Sequence, residues 1–266
     1  MRVANKVVVV TGGGNGIGRE LVLNLLSKGA SVAALDINKQ ALDETVFLSG
    51  DNKVKLSTHI VNITEQVSVE ALPEQVIAHH GAVDGIINNA GIIQPFVKVN
   101  ELDYDKIKLV MDINFYGTLY MVKSFLPHLL KRPGAHITNI SSMGGFLPVP
   151  GQSIYGASKA AVKLMTEGLQ SELRDTNVKV TVVFPGGVGT NITKNSGVEI
   201  KITQDSSSQA KALKILTPKE AAEIIVEGMQ NDKSRVFPGK DSKFLDILYR
   251  VSPKRAAELI AKQLKL

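Results

Sequence analysis

The 266-residue sequence has no cysteine, which excludes disulfide scaffolds and thiolate zinc sites. It has no long hydrophobic run either. Nothing approaches the ~18 uninterrupted apolar residues of a membrane span. The opening Met1–Lys6 leads into only four valines, Val7–Val10, before glycines begin. That run is too short for a secretory signal, so the chain reads as soluble and cytoplasmic. The histidines His59, His79, His80, His128 and His136 lack metal-ligand spacing, and no acidic pair accompanies them; no metal is expected. Internal repeats and low-complexity arrays are also missing.

The net charge of +6 is unevenly spread: nine basic and four acidic residues lie from Asn231 onward. The remainder is near neutral. A basic tail of this kind reads as a solvated face, so no nucleic-acid partner is expected.

What is present is alternation. Short β-branched runs at Lys6–Thr11, Ser31–Asp36, Lys53–Val61, Val83–Asn88, Ala135–Ile140 and Val178–Phe184 read as strands. Helical patterns intervene at Gly16–Lys28, Asn38–Leu48, Thr64–His80, Glu101–Leu130 and Gln152–Thr176. Strands separated by helices imply an α/β fold, one doubly wound parallel sheet with helices on both faces and a ligand crevice at the strands' carboxyl ends. No linker divides residues 1–266, so a single domain is expected. Within it, 191–217 reads as a lid and 238–266 as a basic amphipathic extension.

After the first strand, Thr11-Gly12-Gly13-Gly14-Asn15-Gly16-Ile17-Gly18 opens a helix. Glycine permits positive φ and close backbone approach, and the helix start offers free N–H groups to a pyrophosphate. Gly12, Gly16 and Gly18 are the glycines expected to matter. Asp36 ends the second strand, 18 residues after Gly18, where a carboxylate accepts from adenosine ribose hydroxyls. A 2′-phosphate there would meet like charge, and neither Asn15 nor Ile37 supplies a cation, so NAD is expected over NADP. A solvated strand-end aspartate is the plainer alternative.

On the helix starting near Gln152, Tyr155, Lys159, Val162, Thr166, Leu169 and Leu173 share one inward face. A buried lysine is costly without a partner or a task. Using tyrosine as a base near neutral pH requires its pKa to fall from about 10, which a nearby ammonium and an oxidised nicotinamide favour. A snorkelling lysine beside an ordinary tyrosine would give the same spacing. In the helix before it, Asn114 interrupts the apolar stripe Ile107, Val110, Thr118, Met121 and Phe125 and must satisfy its amide there.

Thr11–Gly18, Asn88-Asn89-Ala90-Gly91, Asn139-Ile140-Ser141-Ser142, Tyr155-Gly156-Ala157-Ser158-Lys159 and Pro185-Gly186 occur in that order. Together, from Lys6 to Thr190, they resemble the short-chain dehydrogenase/reductase family. The resemblance implies a Rossmann-type sheet and hydride transfer between NAD(H) and a secondary alcohol or ketone. It implies a tetrad of Asn114, Ser142, Tyr155 and Lys159. Tyr155 would be the acid/base, Lys159 would lower its pKa and bind the nicotinamide ribose, and Ser142 would bond the substrate oxygen, with Ser141 as the fallback. Asn114 would hold a relay water.

By the same resemblance Gly12, Asn15, Gly16, Ile17 and Gly18 would cradle the pyrophosphate, and Asp36 and Ile37 the ribose. Asn62 and Ile63 would lie near the adenine, where many relatives carry Asp-Val. Asn89, Ala90 and Gly91 would sit beside the cofactor, and Pro185, Gly186, Val188 and Thr190 at its nicotinamide end. A homotetramer or dimer joined through the two long helices is implied too.

Ile92, Ile93, Pro95, Phe96 and Val97, with Met143, Phe146, Leu147, Pro148 and Val149, would border a pocket for an apolar substrate. The tail stripe Phe244, Leu245, Leu248 and Val251 either touches a membrane surface or shields the substrate entrance, or it packs on the fold or a partner subunit. Two rival functions remain at this point: an NADPH-preferring reductase, and a nucleotide-binding regulator without turnover.

Overall fold

A computed structural model describes residues 1–198 and 215–264. Seven parallel strands form one sheet in the order β3-β2-β1-β4-β5-β6-β7. They are β1 Val7–Thr11, β2 Ser31–Asp36, β3 Leu56–Ile60, β4 Gly85–Asn88, β5 Ala135–Ile140, β6 Val178–Val183 and β7 Arg235–Val236. The order reverses between β1 and β4, and this switch point opens the crevice.

β1 is buried on both faces, which is why its sequence is unbroken valine. Val7 and Val9 face a core shared with α3 (Gln66–Glu70), α4 (Leu72–His80), α6 (Thr118–Leu129) and α7 (Ser153–Glu172). Val8 and Val10 face the opposite core, where Leu21, Val22 and Leu25 of α1 (Gly16–Ser27) meet Ala222, Ile225 and Val226. The alternation of side-chain direction along each strand thus assigns the two helical layers. Asn38 caps α2 (Lys39–Leu48) as expected, accepting from Ala41 N at 3.0 Å.

Several expectations are corrected. The first part of Lys53–Val61 belongs to a 3₁₀ turn, Gly50–Lys55, whose side chains are exposed. The Thr64–His80 helix is two helices parted at Ala71, where Pro73 enters the start of the second. The long helix from Glu101 starts at Tyr104 and loosens to a π-turn over Asp112–Gly117, separating α5 (Tyr104–Met111) from α6. Two features account for the bulge. Asn114 bonds outside the helix to Ile92, and a Cβ on Gly117 would lie 2.7 Å from Ile63 Cδ1.

The sequence reading assigns nothing from Pro218 to Val236. The structure places there a helix, Pro218–Gln230, and the two-residue β7. The helix signal was present as Thr217-Pro218-Lys219-Glu220, a capping box with Thr217 accepting from Glu220 N. Of the expected lid, residues 199–214 lie outside the described ones. Its first residues form a short helix α8, Ile192–Asn195, and Leu216 bridges to Val188.

The tail packs on its own fold. Leu245, Ala256 and Ile260 cover Leu147, with Phe146, Leu248 and Tyr249 beside them. The expected four-residue stripe is divided: Leu245 is buried and Leu248 half-buried, whereas Phe244 and Val251 are exposed. Among the described residues no helix is long and apolar enough to cross a membrane, and no cluster of metal-ligating side chains occurs.

Candidate active site

The glycine-rich turn is dictated by space. Gly12 and Gly16 have φ of +68° and +54°, where side chains are disfavoured. A Cβ on Gly18 would sit 1.9 Å from the Gly12 carbonyl oxygen. Asn15 starts α1 by accepting from Gly16 N at 2.7 Å, and the helix's N-terminal end faces the cleft. Thr11 Oγ1 accepts from Asn89 N and Ala90 N at 2.9 and 3.0 Å, while Asn89 Nδ2 donates to Thr11 O at 3.0 Å. Asn89 therefore ties the end of β4 to the turn after β1.

Asp36 is not simply solvated. Its two carboxylate oxygens accept from Gly14 N and Asn38 N, both at 3.0 Å. A Cβ on Gly14 would lie 2.8 Å from Asp36 Oδ2, so Gly14 matters as much as the glycines singled out from the sequence. Arg19, the only cation between Thr11 and Glu20, donates to Gly14 O, Thr45 Oγ1 and Glu44 Oε2. Its charge is thus committed to α2.

On the other side, Tyr155 and Lys159 lie one turn apart on α7, above the buried Val162, Thr166 and Leu169. A polar chain ties this helix to the sheet. Asn88 Nδ2 donates to Asn139 Oδ1 at 2.8 Å, Asn139 Nδ2 to Thr166 Oγ1 at 2.9 Å, and Thr166 Oγ1 to Val162 O at 2.6 Å. Lys159 is buried, and its Nζ donates to Ile140 O at 3.0 Å.

The two serines separate cleanly. Ser141 Oγ donates to Lys159 O at 2.7 Å and is buried. Ser142 Oγ accepts from Gly144 N at 3.1 Å and shares the cleft with the Tyr155 phenol. Asn114 is fully buried and stands behind the cleft wall. Its Oδ1 accepts from Ile92 N at 2.9 Å, and its Nδ2 donates to Ile92 O and Ser158 Oγ at 3.0 and 2.9 Å. Ser158 Oγ in turn donates to Tyr155 O at 2.7 Å. The amide thus braces the Ile92 loop against α7, and Oδ1, which among the described residues accepts only from Ile92 N, keeps a second acceptor site.

In the protein alone, burial pushes the Tyr155 phenol up, and the Ser142 hydrogen bond opposes this. Burial draws the Lys159 ammonium down to about 8.

These groups converge on one cleft of about 380 Å³. Every residue expected to bind cofactor lines it except Gly18, which lies beneath the turn, and so do Ser142, Tyr155 and Lys159. Leu35, Val61, Ile113, Asn191, Ile192 and Asn195 line it as well. Those six carry no sequence signal beyond their place: Leu35 and Val61 at strand ends, Ile113 in the π-turn, and the others in α8 or just before it. Of the two segments expected to border a substrate, only Ile92 and Ile93 reach the cleft. Phe146 and Leu147 turn to the C-terminal helices instead.

The loop after β6 is held by the tail. Gly187 N donates to Asp241 Oδ2 at 3.0 Å, and Gly186 N to Pro238 O at 2.9 Å. A Cβ on Gly186 would lie 2.4 Å from the Asp241 carboxylate. Asp241 is unmarked in the sequence, because an isolated aspartate 54 residues downstream of Gly187 carries no local pattern.

The short chain dehydrogenase family model matches residues 6–200. The chain is 36% identical over 260 residues to the putative oxidoreductase SadH of Mycobacterium tuberculosis (strain ATCC 25618 / H37Rv), covering 96% of this chain and 94% of that protein. It is 31% identical to the 3-oxoacyl-[acyl-carrier-protein] reductase FabG of Thermotoga maritima, covering 90% of this chain and 96% of that one. A short chain dehydrogenase/reductase from Burkholderia phymatum, solved in complex with NAD, superposes with a TM-score of 0.80 at 26% identity, covering 89% of this chain and 90% of that chain. A Burkholderia cenocepacia short chain dehydrogenase, solved with NADP, gives a TM-score of 0.80 at 24% identity over 98% of this chain and 99% of its own, a likeness of fold. The chain belongs to the short-chain dehydrogenase family, a family of oxidoreductases.

Proposed function

We propose that the protein transfers hydride between NAD(H) and a secondary alcohol or ketone, with Tyr155 as general acid/base. The observation that carries this is the convergence of Ser142, Tyr155 and Lys159 on the same cleft as the glycine turn and Asp36. The cradle suits a dinucleotide: the Cβ atoms that Gly12 and Gly18 lack would fill the turn, and the N-terminal end of α1 favours a pyrophosphate. Bound NAD supplies the hydride acceptor and a positive ring that favours the phenolate.

The chain's own residues do the rest. In oxidation the Tyr155 phenolate takes the hydroxyl proton as the carbon–hydrogen bond yields its hydride, and reduction reverses both transfers. Ser142 Oγ hydrogen-bonds the substrate oxygen. Lys159, anchored at Ile140 O, holds the nicotinamide ribose and keeps positive charge near the phenol. Asn114 braces Ile92 against Ser158, and its Oδ1 holds the relay water with its second acceptor site. Ile92 and Ile93 on the cleft wall favour an apolar small-molecule substrate. The exposed Tyr104, Tyr116 and Leu164 on the long helices favour a homo-oligomer.

NAD is preferred over NADP because Asp36 presents a carboxylate at the ribose end and Arg19 is committed elsewhere. The test is absorbance at 340 nm with NAD or NADP and a panel of secondary alcohols, on the wild type and on the double variant Asp36→Ala with Ile37→Arg. Wild-type turnover with NAD, shifted toward NADP by at least about 10-fold in the variant, is expected, since like charge at the site costs several kcal/mol. Unchanged coenzyme preference in the variant would remove Asp36 from this role.

A further inference from the structure

The helix that carries Tyr155 lacks a cap of its own. Gln152, at its N-cap position, makes no side-chain cap hydrogen bond. The first N–H groups of a helix need acceptors from elsewhere. Here they come from the loop after β4, 60 residues upstream. Gln94 Oε1 accepts from Ile154 N at 2.8 Å and from Tyr155 N at 2.9 Å. Its Nε2 donates to Gly151 O at 2.9 Å, and its backbone carbonyl accepts from Gln152 Nε2 at 2.9 Å. Gln94 is fully buried, with both amide atoms used.

The loop is itself fixed on its other side. Ile92 is bonded through both its N–H and its carbonyl to Asn114, and Ile93 N donates to Ser196 Oγ at 3.0 Å. Gly91, next in line, is close to Lys159: a Cβ there would stand 3.1 Å from Nζ. Three consecutive residues, Ile92 to Gln94, thereby connect the π-turn, the lid's first residues and the first turn of α7.

We propose that Gln94 is a positioning residue for Tyr155: its amide caps α7 from outside and sets where the Tyr155 backbone stands relative to Lys159 and the end of β4. This rests on the reading of Tyr155 as the acid/base. The rest of α7 has other supports, namely the buried Val162, Thr166 and Leu169 and the bond from Asn139. Loss of Gln94 therefore frees the first turn alone. A displacement of about 1 Å at a reacting group costs on the order of 100-fold in rate, so a local loosening reads out in kcat.

Two variants separate capping from filling space. Gln94→Met keeps a similar volume and removes the acceptor. Gln94→Glu keeps an acceptor, at a helix N-terminus that favours negative charge. Each is compared with wild type by amide hydrogen exchange of peptides over residues 152–157 and 162–169, and by kcat and KM with NAD and an alcohol that the wild type oxidises.

For Gln94→Met, exchange in 152–157 is expected to rise by about tenfold or more while 162–169 stays unchanged. Its kcat is expected to fall on the order of 10- to 100-fold, with the KM for NAD within about twofold. Gln94→Glu is expected to recover the protection and most of the kcat. If Gln94→Met fails to fold, the Glu variant, which gives up the donor to Gly151 O, carries the test: a first turn protected as in wild type must go with a retained kcat. Wild-type exchange in the Met variant would overturn the proposal. So would a loosened first turn with wild-type kcat, or a folded Glu variant whose first turn is protected as in wild type and whose kcat is nonetheless lost. A wild type with no turnover at all would instead overturn the reaction assigned to Tyr155, and the exchange comparison would then decide the cap by itself.

Discussion

On the glycine side of the cleft, β1, α1 and β2 meet through backbone. Asp36 grips Gly14 N and Asn38 N, Thr11 grips Asn89 N and Ala90 N, and glycines are required because Cβ atoms would collide. On the tyrosine side the joints are side-chain amides and hydroxyls from widely separated segments: Asn88 to Asn139 to Thr166, Asn114 to Ser158, and Gln94 to the start of α7. The first construction fixes a surface for a ligand by steric necessity. The second fixes the position of Tyr155 and Lys159, and each buried amide in it must find its partners or cost stability.

The largest effect expected from this contrast belongs to Gly18→Ala. Its Cβ would sit 1.9 Å from Gly12 O, so the turn must open and cannot be relieved by a rotamer. Calorimetric titration is expected to find no NAD binding, with thermal unfolding showing a lowered midpoint. An alanine variant that bound NAD like wild type would break the claim that the cradle is steric.

Thr166→Val is expected to do less, and on the opposite side. It removes the acceptor for Asn139 Nδ2 while keeping the volume. Leaving that amide unpaired in the core costs about 1–3 kcal/mol, measurable as a lower urea midpoint at an unchanged slope. NAD affinity is expected to stay within about twofold of wild type, an energy of roughly 0.4 kcal/mol. Loss of NAD affinity comparable with that of Gly18→Ala would show the two sides to be one unit.

The same contrast explains what was legible in the sequence. Glycine spacing, a run of valines and a helical stripe are local patterns, so the first six strands, α1, the turn and the Tyr155–Lys159 face could be read from residue types alone. The partners of buried polar groups are set by tertiary contact. Asn114 was readable as an amide in need of partners, but not that Ile92 and Ser158 supply them. Gln94 stands among apolar residues with no periodicity to mark it. Asp241 reaches Gly187 only because β7 brings the tail beside β6. The split of Thr64–His80 was signalled by Pro73, and the Pro218–Gln230 helix by its capping box. The π-turn had no comparable mark, since its cause is the contact of Asn114 with a distant loop.

The most direct test of the account is single-turnover and steady-state oxidation of a secondary alcohol by wild type and Tyr155→Phe, followed at 340 nm with NAD. Phenylalanine keeps the ring and removes the proton acceptor, so kcat is expected to fall about 10²- to 10⁴-fold, with NAD affinity nearly unchanged. A Tyr155→Phe enzyme that forms NADH at the wild-type rate would contradict the assignment of the acid/base, and with it the central claim.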